Sequence, residues 1–366
     1  MSASLFDVLR AYATLQPPKG IEKPDVPFAA AHEFLLKHLL LNPHFDDYPP
    51  SRQYQIKFWK WAIEWLESLM SDEARGPLNI RFCIPPDSLD ERMYTHHVEL
   101  MSEEAIAKGA GSAGPTPSYM TYLWPSGDSA SVGRPVYPGC ASATLLESRT
   151  ITEGGTTGLR TWSASLILGQ HMLSHPELVK GKRVLELGCG SGFLGVVTGS
   201  IHASADGSSL WLTDMNESVL QRCKVNMRLF CNQSHTHPDL NFELLDWSDA
   251  LSPRKRPALE AFFRRARPDL VLGADLAYDP SIIPPLVNIL AAALQSGDGG
   301  PGPTAYIAVT VRNEETHSDF LRQAKQLLSV EDTHTFTVAE NIFTRTAELG
   351  QDASQAIRLY KFGRKP

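Results

Sequence analysis

The run Arg183-Val184-Leu185-Glu186-Leu187-Gly188-Cys189-Gly190-Ser191-Gly192-Phe193-Leu194-Gly195 constrains this chain more than any other. Five residues that read as a buried strand end in glycines at alternate positions, and an apolar helical pattern begins directly behind them. Without Cβ atoms, Gly188, Gly190 and Gly192 let the backbone turn sharply and let a ligand lie against free N–H groups at a helix N-terminus. The next strand, Leu210-Trp211-Leu212-Thr213-Asp214, ends in the carboxylate that such a corner needs for ribose hydroxyls. A glycine turn that binds nothing has no use for it.

Two ligands compete for the turn. Gly190-Ser191-Gly192-Phe193-Leu194-Gly195 fits the dinucleotide pattern G-x-G-x-x-G, and Asp214 serves either reading. Glu186 separates them, because a carboxylate beside a pyrophosphate repels it, whereas one beside an ammonium or a sulfonium does not. That points to S-adenosylmethionine.

At 366 residues the chain exceeds one ordinary core, and its patterning divides it. Residues 1–108 read as a mainly helical domain punctuated by prolines. Its strongest helix lies between Ser51 and Met70, where Trp59, Trp61 and Trp65 read as core opposite the solvated face of Lys57, Lys60, Glu64 and Glu67. His96-His97 on a helix points two ways and suggests no metal. Residues 109–142 are rich in Gly, Ser, Pro and Ala and read as a linker or long loop. From 143 to 366 strands alternate with helices, and the last two strands have no helix between them. The expected fold is α/β, a doubly wound, Rossmann-like seven-stranded sheet behind an N-terminal helical domain, with the ligand at the carboxyl ends of the strands. The glycine-rich stretches His202–Ser208 and Gly297–Pro303 read as loops.

The net charge of −7 argues against direct nucleic-acid binding. Five cysteines without a C-x-x-C pair suggest neither a disulfide framework nor zinc, and the absence of a leader or a long apolar run points to the cytoplasm and away from membranes. A monomer is expected.

Further chemistry falls near the expected ligand edge. Asp246-Trp247 follows the third strand of this domain, where an indole can cover an adenine face. The fourth ends Gly273-Ala274-Asp275-Leu276-Ala277-Tyr278, bringing a carboxylate and a phenol to the cofactor's reactive end; a bare helix-capping role is the alternative for Asp275. Thr156-Thr157-Gly158-Leu159-Arg160-Thr161-Trp162, ahead of the first strand, is placed to close over the cofactor.

These residues carry a resemblance. Glu186 to Gly192 resembles the first motif of the class I, seven-β-strand methyltransferases, and Asp275-Leu276-Ala277-Tyr278 resembles the D-x-x-Y signature of their protein-lysine branch. Gly154 to Trp162, with the long helical extension, is similar to the lysine methyltransferases that modify eukaryotic elongation factor 2. The resemblance implies that Trp162, Glu186, Gly188, Cys189, Gly190, Asp214, Trp247 and Ala274 line an S-adenosylmethionine site, that Asp275 and Tyr278 border the lysine channel, and that elongation factor 2 is the partner. One departure stands out: related enzymes often carry an acidic residue after the tryptophan, and here it is Ser163.

The implied chemistry needs a neutral amine, since a lysine with a pKa of about 10.4 is almost wholly protonated near pH 7. A nearby sulfonium and desolvation both lower that pKa. Asp275 acts against them while attracting and orienting the lysine, so positioning is its expected part, not proton abstraction. Two alternatives belong to other classes, an NAD-dependent oxidoreductase using the second glycine register and a non-catalytic protein-binding module on a methyltransferase fold.

Overall fold

The first helix, Leu5–Ala13, is fixed by its own N-terminus. The Ser4 hydroxyl accepts the Asp7 N–H at 3.2 Å and the Asp7 carboxylate accepts the Ser4 N–H at 2.9 Å. This reciprocal pair serves two donors that a helix start leaves bare. Leu15, at φ 56°, then breaks the helix ahead of the two prolines. The computed structural model describes residues 3–75, 89–109, 116–126, 135–202, 207–295, 302–344 and 354–365, and the chain separates into two units, Met1–Thr150 and Ile151–Pro366.

In the first unit, helices Phe28–Leu35, Arg52–Arg75 and Glu91–Gly109 join the first in one apolar core. Tyr12, Phe58, Trp59 and Trp65 are fully buried there, whereas Trp61, also read as core, is only partly buried against it. His96 packs edge-on against Trp59. The stretch expected to be a linker holds a strand pair where it is described: β1 (Ser118–Pro125) runs antiparallel to β2 (Cys140–Glu147), with Tyr122 opposite Ala143. Tyr-Met-Thr-Tyr-Leu-Trp is an aromatic, strand-forming run, and its small, polar flanks hid that signal. Residues 110–115 and 127–134 of that stretch lie outside the described residues, as do 203–206, 297–301 and Cys83.

The second unit is built on one sheet of β3 (Arg183–Leu187), β4 (Ser209–Asp214), β5 (Leu240–Leu244), β6 (Leu270–Ala274), β7 (Thr304–Thr310), β8 (Leu328–Thr337) and β9 (Ala356–Arg364), in the order β5-β4-β3-β6-β7-β9-β8. Strands β3 to β7 are parallel, while β9 runs antiparallel to both β7 and β8. This is the seven-stranded α/β sheet read from the sequence, with its closing antiparallel pair. Central β3 is apolar but for Glu186 and the terminal Arg183, as a strand covered on both faces must be, whereas edge strand β5 is only partly covered. The chain enters mid-sheet at β3, runs outward to β5, then crosses back to β6 and β7. The strand order therefore reverses between β3 and β6, where a doubly wound sheet opens a crevice at its carboxyl edge. One helix, Arg256–Ala266, has no counterpart in the sequence reading, although Leu259, Phe262, Phe263 and Ala266 give it a buried face. Among the described residues no helix is long and apolar enough to cross a membrane.

A hydrogen-bonded chain ties the helix Phe193–His202 to its surroundings. The Asp239 N–H donates to His237 Nδ1 (3.1 Å), and His202 Nε2–H donates to the Val179 carbonyl (3.1 Å). His237 Nε2–H must then donate to His202 Nδ1, 3.0 Å away. Both rings are neutral in this arrangement, and burial, with His237 alongside, holds His202 down to about 4. Because unfolding restores an ordinary pKa near 6.5, the stabilisation is complete above about pH 6.5 and is lost as pH falls towards 4. Thermal unfolding followed from pH 7.5 to 4.5 should show a loss on the order of 2 kcal/mol from this pair. A His202→Phe variant should lose less on acidification, and an unchanged pH slope would show that the pair does not set it.

Candidate active site

Three strand ends converge on Gly188. Its φ is 64°, and a Cβ there would stand 2.7 Å from Leu276 Cδ2 and 3.4 Å from Trp247 Cζ2. The turn after β3 is thus pressed against residues that follow β5 and β6, and only glycine fits. Gly190, at φ 53°, lies close under the Gly158 carbonyl, and Gly192, at φ 96°, against the Cys223 sulfur. Cys189 is buried and its N–H donates to the Thr213 carbonyl (2.9 Å). The helix Phe193–His202 starts at once, with the Val196 N–H donating to the Gly192 carbonyl.

Asp214 closes β4. Its carboxylate accepts the Asn216 N–H at 3.0 Å and, more loosely, the Gly190 N–H at 3.4 Å, while burial pushes its pKa up. Glu186 lies deeper. Burial, with Asp214 behind it, drives its carboxyl well above the usual range, and its Oε2 is buried without a hydrogen-bond partner. The Trp247 indole N–H is likewise buried and unpartnered. Unpaired buried polar atoms are costly and rare. Here two of them flank a glycine cradle: an acceptor suited to an ammonium or another cationic donor, and a donor beside an indole plane. The residues present fit an adenosyl sulfonium cofactor, and the carboxyl group disfavours a pyrophosphate.

The segment before β3 folds over in a defined way. Gly154 and Gly155, both at positive φ, turn the chain between the bridged residues Glu153 and Thr156. Trp162 precedes the helix Ser163–Ser174, and its Nε1–H donates to the Thr157 carbonyl at 3.1 Å. The guanidinium groups of Arg160 and Arg312 stand 4.9 and 5.2 Å from the Trp162 ring centroid. Thr161 and Ser191 share a 3.1 Å hydrogen bond that joins this segment to the glycine turn. Ser163, where related enzymes carry an acid, is buried.

Ala274 ends β6 and Asp275 follows it at φ 56°, buried to 8% exposure. Asp275 Oδ1 accepts the Thr310 N–H (3.0 Å) and one Arg312 nitrogen (3.1 Å), and Oδ2 accepts the Thr310 hydroxyl (3.0 Å) and the other Arg312 nitrogen (3.1 Å). Four donors occupy the roughly four acceptor positions of a carboxylate. Asp275 is therefore a neutralised anchor and not a free negative charge. Nor does it cap the next helical turn, a role filled by Asp279, whose carboxylate accepts the Ser281 N–H. Tyr278 is 57% exposed. Desolvation, then Asp279 and Asp214, raises its phenol, so it remains a neutral hydroxyl near pH 7.

The structure brings Trp162, Glu186, the glycine turn, Asp214, Trp247, Ala274, Asp275 and Tyr278 to one edge of the sheet. Thr310 and Arg312 were missed by the sequence reading. Arg312 stands two residues past the end of β7, so extending the strand-end rule to the fifth parallel strand would have found it.

Residues 145–327 match the family described as lysine methyltransferase. Over 179 residues the chain is 40% identical to the protein-lysine N-methyltransferase EFM3 of Chaetomium thermophilum, covering 49% of this chain and 50% of that protein. It is 31% identical to the protein-lysine N-methyltransferase EEF2KMT of Bos taurus over 63% of this chain and 66% of that protein, and 32% identical to its Homo sapiens namesake over 60% and 62%. The chain belongs to the lysine methyltransferase family. It spans about half to two thirds of the length of these curated relatives. Family and site together favour S-adenosylmethionine as cofactor over NAD.

The constraint at Gly188 is testable. In Gly188→Ala the left-handed backbone and the contact with Leu276 together should cost about 2–3 kcal/mol, lowering Tm by roughly 5–10 °C. Gly207, at φ 79° with nothing within 4 Å of a Cβ, provides the control for backbone strain alone. Equal losses in differential scanning calorimetry would show that the apposition to Leu276 contributes nothing.

Proposed function

We propose that this chain is an S-adenosylmethionine-dependent protein-lysine N-methyltransferase and that elongation factor 2 is its substrate, modified in the cytoplasm by the monomeric protein. The observation that carries the reading is the meeting, at one sheet edge, of an unpartnered buried carboxyl group, a glycine cradle and the D-x-x-Y loop in a chain of the lysine methyltransferase family. The substrate rests on the motif resemblance around Gly154 to Trp162 and on relatives named EEF2KMT, while relatives named EFM3 are similar to this chain as well.

Glu186, Gly188, Cys189, Gly190, Asp214, Trp162, Trp247 and Ala274 would hold the cofactor, which when bound supplies an electrophilic methyl group on a cationic sulfur. Asp214 takes the ribose hydroxyls and Trp247 covers the adenine. Tyr278 walls the approach of the lysine side chain, and the anchored Asp275 sets the turn that carries it. With the cofactor bound, desolvation of the lysine at this edge would lower the amine's pKa so that its proton could leave to water, and the residues named would serve mainly to align the amine with the methyl group.

Methylation of purified elongation factor 2 with labelled cofactor, followed by mass spectrometry of its peptides, tests the assignment. Labelling of a different protein in a lysate while elongation factor 2 stays unlabelled would overturn the substrate. At the cofactor, Asp214→Ala should remove hydrogen bonds worth roughly 1.5–3 kcal/mol each, weakening binding at least tenfold in calorimetric titration. Tight NAD binding with no response to S-adenosylmethionine would defeat the whole reading.

A further inference from the structure

Arg312 belongs to none of the motifs, yet it touches both halves of the site. One face of its chemistry is the paired hydrogen bonding to both oxygens of Asp275, each at 3.1 Å. The other is its guanidinium plane, 5.2 Å from the Trp162 ring centroid. From Trp162 the indole N–H reaches the Thr157 carbonyl at 3.1 Å. Tyr278 lies three residues beyond Asp275, so Arg312 bridges Trp162 to the turn that leads to Tyr278. Across this bridge, Trp162 stands on the segment expected to cover the cofactor and Tyr278 on the loop expected to face the amine.

Resting on the proposed methyltransferase reading, we infer that Arg312 is a positioning residue that holds the cofactor-side segment and the amine-side loop in one geometry. Three properties make arginine suited to this place. Its planar fork matches both carboxylate oxygens, the same plane stacks on an indole, and its charge cancels that of Asp275. An ammonium supplies the third alone. Methyl transfer depends on the angle and separation of amine, methyl and sulfur, so a small loss of registry between the two segments lowers turnover more than it lowers affinity.

The experiment replaces Arg312 conservatively. Arg312→Lys keeps the charge beside Asp275, and should fold, with turnover on elongation factor 2 at least thirtyfold lower and its KM within threefold of wild type. The Trp162 contribution to fluorescence, taken as the difference between each protein and its Trp162→Phe counterpart without cofactor, should shift in Arg312→Lys. Asp275→Asn weakens the same bridge from its other end; it should shift the Trp162 signal in the same direction and lower turnover, and it serves as the test if Arg312→Lys does not fold. Combining the two substitutions should slow turnover by less than the product of the single effects, since either one alone already breaks the bridge. A folded Arg312→Lys enzyme with wild-type turnover, a lower melting temperature and an unmoved Trp162 signal would reduce Arg312 to a stabilising contact and overturn the inference. Failure of the functional reading has a different signature, a wild-type chain that neither binds S-adenosylmethionine nor methylates elongation factor 2, and in that case the Trp162 signal still decides whether Arg312 holds the two segments together.

Discussion

No side chain fits at Gly188, and the geometry of the site follows from that exclusion. Leu276 and Trp247 fill the volume where a Cβ would stand, which locks the loops after β5 and β6 against the turn after β3. Parallel strands pair their backbone groups within the sheet, so free polar groups gather at strand ends. Pressing three such ends together concentrates them. Glu186 Oε2 and the Trp247 N–H are left unpartnered there, in surroundings where each unpaired group costs about 1–3 kcal/mol. These two fall together beside the glycine cradle, and a bound cofactor carrying a cation and an aromatic base is the natural means of relieving them.

How much of this was legible depends on whether the signal was local. The glycine turn, Asp214 and the Asp275–Tyr278 motif were readable because each sits on a strand end whose apolar run names it. The sheet followed from the same alternation, including the unusual pair β8 and β9. Most of edge strand β8 carries no strand signal, because Ser-Val-Glu-Asp-Thr-His-Thr is polar and an exposed strand needs little apolar alternation to be held by its neighbour. Strands β1 and β2 were lost in a stretch whose Gly, Ser and Pro content dominated the reading. What no local pattern carries is pairing across the sheet. Asp275 and Arg312 are 37 residues apart, and only the adjacency of β6 and β7 brings the carboxylate to the guanidinium.

That pairing changes the electrostatics expected of the amine-side loop. Read alone, Asp275 is a buried negative charge facing an incoming lysine. A carboxylate a few ångströms from an ammonium stabilises the protonated form and raises its pKa, so it draws the lysine in and also keeps it unreactive. With Arg312 across both oxygens and Thr310 supplying two more donors, the net charge is near zero and acceptor capacity is spent. A buried pair of this kind is weak grounds for added stability, since its desolvation offsets much of its attraction. Its value here is geometric, because it holds Asp275 at a positive φ that an aspartate visits only under constraint.

A neutralised anchor also resolves the conflict between attracting the amine and deprotonating it. Nearby, Glu186 is pushed upward by burial and Tyr278 stays a neutral hydroxyl. On the proposed reading, the sulfonium positive charge would then act on the amine without a counterweight from Asp275. The negative charge left near Tyr278 is that of Asp279 and Asp214, whose fields add to desolvation in raising its phenol, and it stands outside the paired carboxylate that sets the turn.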